Sequence, residues 1–257
     1  MGTFFKRKNV ICSRTKIMNI YALIPARSGS KGIRNKNLCV VQGKSLLEYT
    51  IETALACGIF EEVIVTTDSE TIAKNAKHLG AKVPFLRPSQ FARDNSTDRE
   101  YIEHAINWLK DNENIEPKLI SILRPTTPLR DINLIESAVN LFHAHLHSAT
   151  SLRSVHAMSE PPQKMLQITN GFLKGFFPND LRKEYFNLPR QAFPKAYHPN
   201  GYIDIVKPDH IKTHPSGIFG EKILAFETPF SIEIDIAQDL EYLNYLLDKK
   251  NAKFYIK

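Results

Sequence analysis

Short apolar runs alternate with longer amphipathic stretches along most of this chain. The short runs predict buried strands, and the stretches with apolar residues three and four positions apart predict helices. The predicted strands lie at 20–25, 63–67, 82–85, 119–123, 148–155, 201–206, 222–226 and 231–235. The predicted helices lie at 45–57, 69–80, 96–110, 131–145 and 237–250.

Repeated alternation of strand and helix is typical of an α/β fold with right-handed crossovers between parallel strands. We therefore predict a mostly parallel, doubly wound, Rossmann-like sheet. Ligands of such sheets bind at the carboxyl ends of the strands. The loops at 26–37, at 68 and at 124–130 should accordingly meet at one edge.

The alternation stops at 156–200, where prolines and glycines interrupt it. This segment nevertheless carries many aromatic and large aliphatic side chains, which have to be buried against something. It could form a lid, a small lobe or a contact with a second subunit, and the apolar excess alone does not choose among these.

The first 17 residues differ in charge from the rest. They hold five cationic side chains and no acid, in a chain of 257 residues with a net charge of +7. Most of the net positive charge therefore comes from this segment. Such a charge is weak support for a nucleic-acid partner, and we expect none. The segment lacks the apolar stretch of a signal peptide. We expect a basic, disordered extension at 1–17 ahead of a folded domain at 18–257.

The apolar runs and the cysteines indicate where in the cell the protein works. No apolar run approaches the length that a membrane span requires, so we expect no membrane partner. The chain has three cysteines without metal-ligand spacing. An odd number without such spacing favours a reducing cytoplasm and no disulfide framework.

A small-residue loop directly after the first predicted strand combines Gly29 and Gly32 with several cations. Those cations are Arg27, Lys31, Arg34 and Lys36. A strand, a glycine loop, cations and then a helix suit a polyphosphate, because backbone N–H groups and positive charges converge on the anion. The G-x-G-x-x-G and Walker A patterns are both absent, which disfavours a Rossmann dehydrogenase and a P-loop ATPase.

Two carboxylates near the other end of the chain, Glu233 and Asp235, alternate with Ile232, Ile234 and Ile236. Residues two apart on a strand project from the same face, so the two carboxylates would share one face while the three isoleucines enter the core. Adjacent carboxylates suit Mg²⁺, which takes one or two of them with phosphate oxygens and waters. From these residues alone, an ordinary exposed strand face remains the alternative.

The sequence LIPARSGSKG at 23–32, followed by KNL at 36–38, resembles the signature of the acylneuraminate cytidylyltransferases, the CMP-sialic acid synthetases. Further similar blocks follow in the same order: RP at 87–88, D-x-x-TD at 94–98, RPTTPLR at 124–130, LPRQ at 188–191, HPNG at 198–201 and SIEID at 231–235. The resemblance covers residues 20–240. It implies a nucleotidyltransferase that joins CTP to a nine-carbon keto sugar acid and releases pyrophosphate.

The resemblance also implies which residues form the site. The nucleotide would be held by Ala26, Arg27, Ser28, Gly29, Ser30, Lys31, Lys36, Asn37, Arg87, Thr97 and Asp98. Catalysis would depend on Arg27, Lys31, Lys36 and Asp235. The sugar would be held by Arg124, Thr126, Thr127, Lys164, Arg190, Asn200 and Asp204, with Arg190 as a bidentate clamp on its carboxylate. Mg²⁺ would be held by Glu233 and Asp235.

Four positions depart from the family pattern. Asp98 stands where the family often has Ser, Arg124 where it has Gln, Asp204 where it usually has Tyr, and Glu233 where it has Asp. Three of these changes lie in segments implied to hold the base or the sugar. As the sugar substrate, a legionaminate-type or other nonulosonate is therefore as well supported as N-acetylneuraminate.

Several alternatives stay open. The enzyme could activate an eight-carbon sugar, as the related CMP-3-deoxy-octulosonate synthetases do, or could use GTP. A non-catalytic sugar-nucleotide-binding protein is disfavoured, because Lys31, Lys36, Glu233 and Asp235 are all present. The resemblance further implies a homodimer in which the segment 156–200 reaches over the partner, and a role in cell-surface polysaccharide synthesis.

Overall fold

The structure is a computed structural model that describes residues 19–215 and 217–248. The predicted extension at 1–17 lies outside the described residues. In the part described, no helix is both long and apolar enough to cross a membrane.

Strands and helices alternate over the first half of the described chain, as the apolar pattern predicts. The strands are β1 Ile20–Pro25, β2 Val40–Val41, β3 Lys44–Ser45, β4 Val63–Thr66, β5 Leu119–Ile122, β6 Ser151–Ala157, β7 Leu166–Thr169, β8 Phe172–Gly175, β9 Tyr197–Val206 and β10 Ile223–Glu227. The helices are α1 Leu46–Cys57, α2 Glu70–His78, α3 Asp98–Glu113, α4 Ile132–Ala144, α5 Pro208–Thr213 and α6 Ala237–Leu247.

A six-stranded sheet with the order β10-β6-β9-β5-β1-β4 forms the centre of the fold. Its pairs are parallel except for β9, which runs antiparallel to both β5 and β6. The predicted mostly parallel α/β sheet is confirmed. The carboxyl ends of β1, β4, β5, β6 and β10 share one edge with the start of β9, and we call this the carboxyl edge.

Local sequence signals explain where the helices begin and end. The hydroxyl of Ser45 accepts the N–H of Glu48 at 3.1 Å, and the Glu48 carboxylate accepts the N–H of Ser45, which forms a capping box for α1. Gly58 ends that helix with a φ of 65°. The side chains of Ser69 and Asp131 accept backbone N–H groups in the first turns of α2 and α4.

Strand β1 is buried on both of its faces, which is the reason it reads as a continuous apolar run. Ile20 and Ala22 pack in a core that α1 and α4 share. Tyr21 and Leu23 pack on the opposite face, in a core built with α3. Helices on both faces hold the strand rigidly, so the loop that follows it starts from a fixed position.

Two predicted strands are wrong. At 82–85 the chain makes only an isolated bridge, from Lys82 to Ile64. At 231–235 no strand is assigned, and the N–H of Ile234 donates at 2.7 Å to the carbonyl of Thr126, which lies in a loop rather than in a strand. Ile236, predicted to enter the core, is 52% exposed. An extended segment needs a neighbouring strand to form a ladder, and here the neighbour is a loop.

The segment between β6 and β9 leaves the main sheet. It forms the hairpin β7–β8, and several of its large apolar side chains are exposed, among them Ile168, Phe172, Leu173 and Leu181. Its predicted role as a lid or dimer contact stays a prediction.

Candidate active site

A cavity of about 480 Å³ opens at the carboxyl edge, between the loops that follow β1 and β5. Predicted site residues line much of it. They are Arg27, Ser30, Lys31, Lys36, Asn37, Arg87, Thr97, Asp98, Arg124, Thr126 and Asp235. The structure thus brings together residues from widely separated parts of the sequence, as expected for the edge of a doubly wound sheet.

The loop that carries the cations, residues 26–37, is closed by an internal hydrogen bond. Asn37 is buried, and its side-chain amide donates to the carbonyl of Arg27 at 2.9 Å. This bond joins the two ends of the loop, so the residues between them project as one unit. We call residues 26–37 the basic loop.

The acidic segment near the end of the chain lies directly against the basic loop. The Nζ of Lys36 donates to the carbonyl of Ile234 at 2.9 Å and to Oδ1 of Asp235 at 2.8 Å. A Cβ added at Gly32 would collide with the backbone oxygen of Asp235. Glycine is therefore required at this position for the two segments to approach so closely.

Carboxylates engage other donors of the basic loop. The carboxylate of Asp94 accepts from Arg27 Nη1 at 3.0 Å and from Lys31 Nζ at 2.8 Å. Asp68 accepts from the N–H and the hydroxyl of Ser28, at 2.7 and 2.5 Å. Sequence reasoning missed both acids, although Asp68 follows a strand and Asp94 belongs to a family-like block.

Arg87 forms part of the cavity wall and is 5% exposed. It donates to the carbonyl of Thr66 at 2.6 Å and to its hydroxyl at 3.1 Å. Its guanidinium also lies 4.9 Å from the centre of the Tyr101 ring. Burial lowers the pKa of Arg87 from its usual value. These contacts fix the guanidinium in one orientation toward the cavity.

Three of the four departures from the family pattern form one ionic network. Arg124 donates to both oxygens of Asp98, at 3.2 and 2.5 Å. Nη2 of Arg124, which also bonds Asp98, lies 3.6 Å from Oδ2 of Asp204, and Nε of Arg153 lies 3.8 Å from Oδ1 of the same carboxylate. We call Asp98, Arg124, Arg153 and Asp204 the ionic network. Its members compensate one another's charge beside the cavity.

For each of the two acids of the network, burial and the neighbouring arginines shift the pKa in opposite directions. Burial raises the pKa of Asp204, and the nearby Arg124 and Arg153 only partly offset this. Burial also acts to raise the pKa of Asp98, but the hydrogen bonds from Arg124 outweigh it and hold that pKa below its usual value. Asp98 is therefore ionised at neutral pH, and its pair with Arg124 is a charged one.

Arg130 holds the loop after β5 in place, a role that no pattern in the sequence predicts. It donates to the carbonyls of Tyr202 and Arg124, each at 2.7 Å, and to that of Gly201 at 3.1 Å. Burial lowers its pKa to about 10. The guanidinium links this loop to β9 and so positions Arg124.

Other predicted site residues do not line this cavity. Thr127 is buried and donates to the carbonyl of Asn200 at 3.0 Å, and Asn200 itself donates to the hydroxyl of Thr228 at 2.7 Å. Asp204 is buried in the ionic network. The remaining residues outside the lining are Ala26, Ser28, Gly29, Lys164, Arg190 and Glu233. Arg190 lines a separate cavity of about 470 Å³ at the end of β6.

The predicted magnesium ligands differ in position. Asp235 lines the cavity, and its side chain is 68% exposed, whereas Glu233 is not among the lining residues. Within residues 19–215 and 217–248, no three His, Cys, Asp or Glu side chains are grouped to hold a metal ion. An open carboxylate is nevertheless the hard oxygen donor that Mg²⁺ prefers, with phosphate oxygens completing the shell. Asp235 therefore fits a metal that arrives with a polyphosphate.

A cation-lined cavity at the carboxyl edge of a doubly wound sheet is typical of nucleotide-binding α/β proteins. Sequence comparison narrows this class. The profile of the family described as Cytidylyltransferase matches residues 21–156. The chain belongs to the cytidylyltransferase family, as its motifs predict.

Curated relatives are similar over most of the chain. The N-acylneuraminate cytidylyltransferase of Escherichia coli O18:K1:H7 is 38% identical over 93% of this chain and 54% of its own length. The chain thus spans about half the length of that relative. A pseudaminic acid cytidylyltransferase of Campylobacter jejuni is 29% identical over 89% of this chain and 96% of its own. A CMP-N,N'-diacetyllegionaminic acid synthase of Legionella pneumophila is 37% identical over 56% of this chain and 61% of its own.

Solved structures share the fold. CMP:2-keto-3-deoxy-manno-octonic acid synthetase complexed with CTP matches with a TM-score of 0.67 and 17% identity, over 90% of this chain and 99% of that one. The 4-diphosphocytidyl-2C-methyl-D-erythritol synthase of Anaerococcus prevotii matches with a TM-score of 0.60 and 13% identity, over 90% and 98%. At such identities the likeness establishes the fold alone.

Proposed function

We propose that this protein transfers the CMP group of CTP to the anomeric hydroxyl of an acidic keto sugar and releases pyrophosphate. One observation carries the proposal: Arg27, Lys31 and Lys36 of the basic loop line the same cavity as Asp235. Relatives named for N-acylneuraminate, pseudaminic acid and legionaminic acid support a nonulosonate as the sugar.

The proposed reaction places few covalent demands on the protein. The sugar hydroxyl gives up its proton to Asp235 or to water, and its oxygen attacks the α-phosphorus. The bond from that phosphorus to the oxygen bridging to the β-phosphate breaks, and pyrophosphate leaves with the electron pair. Arg27, Lys31 and Lys36 neutralise the triphosphate and hold it in line with the sugar. Positioning and charge stabilisation of this kind supply most of the rate enhancement in phosphoryl and nucleotidyl transfer.

Mg²⁺ is part of the proposal. Asp235 would hold the ion against the phosphates, with Glu233 as the second predicted carboxylate. When bound, such an ion neutralises phosphate charge and lowers the pKa of a coordinated hydroxyl. The protein's own contribution is the bond from Lys36 to Asp235, which keeps that carboxylate beside the basic loop.

The nucleotide and the sugar would occupy neighbouring parts of the carboxyl edge. Asn37, Arg87 and Thr97 are proposed for the nucleotide, and their positions in the lining support this. The ionic network would lie between the nucleotide and the sugar. Because Asp98 already takes both terminal nitrogens of Arg124, we assign the sugar carboxylate to Arg190 rather than to Arg124.

The segment between β6 and β9 would complete the sugar site. It carries Lys164 and Arg190, and its exposed apolar side chains would be covered in a homodimer. We further propose that the enzyme works in the cytoplasm, in the synthesis of cell-surface polysaccharide, without a nucleic-acid or membrane partner.

A pyrophosphate-release screen tests the proposal. CTP and GTP are each offered with Mg²⁺ and a panel of nonulosonic and octulosonic acids. We expect release with CTP and a nonulosonic acid, at a rate that depends on the sugar. Release only with GTP or only with an octulosonic acid would replace the substrate assignment. Tight binding of CMP-sugars without any release would identify a non-catalytic binding protein.

A further inference from the structure

Asp94 lies where it can compete with a nucleotide for the basic loop. Its two oxygens accept from two different cations, Arg27 at 3.0 Å and Lys31 at 2.8 Å. A carboxylate that bridges two cations presents the same chemistry as two oxygens of a phosphate chain. Lys31 and Arg27 are among the residues proposed to bind the triphosphate. Asp94 and the triphosphate would therefore compete for the same two donors.

The residue belongs to the wall that faces the basic loop across the cavity. It lies between the short helical turn Ser89–Phe91 and α3, in a segment whose Arg93 and Ser96 line the cavity. Local bonds shape this segment, since the Ser96 hydroxyl accepts the N–H of Arg93 at 3.0 Å and donates to the carbonyl of Gln90 at 3.1 Å. The contacts of Asp94 thus join two opposite walls of the proposed nucleotide site.

We infer that Asp94 is a displaceable internal anion: a polyphosphate takes Arg27 and Lys31 from it, and the bridge between the two walls then opens. This inference rests on the proposed binding of a nucleoside triphosphate in this cavity. Asp94 is in this reading a residue that sets nucleotide affinity, and it does not touch the reacting atoms.

Charge and exposure favour exchange over a permanent bond. The side chain of Lys31 is 78% exposed and that of Asp94 is 46% exposed, so water and salt weaken their attraction. A polyphosphate carries several negative charges, whereas Asp94 carries one. The hydrogen bonds from Lys31 and then Arg27 hold the pKa of Asp94 below its usual value, so the competing carboxylate is charged at neutral pH.

Calorimetric titration of the full chain with pyrophosphate, and separately with CTP, tests the inference. Asp94→Asn should lower Kd about two- to tenfold at low salt, because the competitor has lost its charge. Asp94→Glu keeps the charge and should stay near wild type. Asp111→Asn removes an exposed carboxylate at the other end of α3, and it should leave Kd unchanged if the effect is local.

Salt and kinetics add readouts that a merely structural role would not move. The gain in Asp94→Asn should shrink as the ionic strength rises from about 0.05 to 0.5 M. The KM for CTP should fall about two- to tenfold while kcat stays within about twofold, because Asp94 acts on the free enzyme. Melting curves check that each variant is folded.

The outcomes separate this inference from the proposed function. If the wild-type protein binds neither pyrophosphate nor CTP, both fail together. If the wild type binds them and Asp94→Asn binds equally or more weakly, Asp94 orients the cations instead, and the inference alone is overturned. Equal tightening in Asp111→Asn would also overturn it, since the effect would then be one of overall charge.

Discussion

The Nζ of Lys36 lies 2.8 Å from Oδ1 of Asp235, a residue 199 positions further along the chain. This contact joins the basic loop after β1 to the acidic segment before α6. Lys36 is 14% exposed at its side chain, and it also donates to the carbonyl of Ile234. The positive charge is thus held in one place beside the cavity.

Replacing Lys36 by Met should impair CTP use far more than stability. The variant loses a fixed positive charge at the proposed triphosphate site, so kcat/KM for CTP should fall by about 10²-fold or more. Steady-state pyrophosphate release measures this. Lys44→Met is the matched control, because Lys44 pairs with Glu52 on the surface of α1. Activity of Lys36→Met within about twofold of wild type would remove Lys36 from the site.

Asp98 and Arg124 should be energetically coupled. Their two hydrogen bonds are charge-assisted and partly buried, and such bonds contribute about 1.5–3 kcal/mol each. In a double-mutant cycle with Asp98→Asn and Arg124→Gln, the coupling in the free energy of unfolding should be about 1.5–3 kcal/mol. Urea denaturation provides the four values. Strict additivity would show that the ionic network is not a unit.

The pair of Asp98 and Arg124 should also make the free energy of unfolding depend on pH in the acid range. The pKa of Asp98 in the folded protein lies below its usual 3.8. The folded state therefore binds fewer protons than the unfolded state in this range. The stabilisation is complete above pH 3.8 and is lost as the pH falls through the lowered pKa.

The free energy of unfolding, measured by urea from neutral pH downward, tests this sign. Wild type should be more stable than Asp98→Asn at pH 7, and the difference should shrink below pH 3.8. Asp204, whose pKa is raised by burial, contributes with the opposite sign and is present in both proteins. A difference that widens on acidification would contradict the assignment.

Asn200 should matter for folding more than for sugar binding. Its side chain is 1% exposed, donates to the hydroxyl of Thr228 and accepts the N–H of Tyr202. Asn200→Ala would leave buried groups unsatisfied, at a cost of about 1–3 kcal/mol of unfolding free energy. Denaturation and the KM for the sugar are measured together. An unchanged stability with a sugar KM raised tenfold or more would restore the ligand role that the sequence motif implies.

The sequence predicts the fold well because apolar periodicity records burial directly. The continuous apolar runs at β1, β4 and β5 correspond to strands covered on both faces, and Ser45, Ser69 and Asp131 cap the helices that follow. The basic loop is also predicted, since cations after a strand are visible without knowing any contact.

Contacts between distant residues are what the sequence does not reveal. Nothing along the chain pairs Arg124 with Asp98 and Asp204, or Asp94 with Lys31, because these pairings depend on how loops meet at the carboxyl edge. The strand predicted at 231–235 fails for a related reason. Its alternating pattern is real, but the neighbouring element is a loop rather than a strand.

CMP transfer by an Asp235→Asn variant tests the central claim most directly. Wild-type protein, Asp235→Asn and the control Glu241→Gln, which changes an exposed carboxylate on α6, are incubated with CTP, Mg²⁺ and a nonulosonic acid. Phosphorus NMR follows pyrophosphate and the CMP-sugar. Wild type and Glu241→Gln should form both products in equal amounts, and Asp235→Asn should be slower by about 10²-fold or more while remaining folded. Transfer by Asp235→Asn at the wild-type rate would contradict the account.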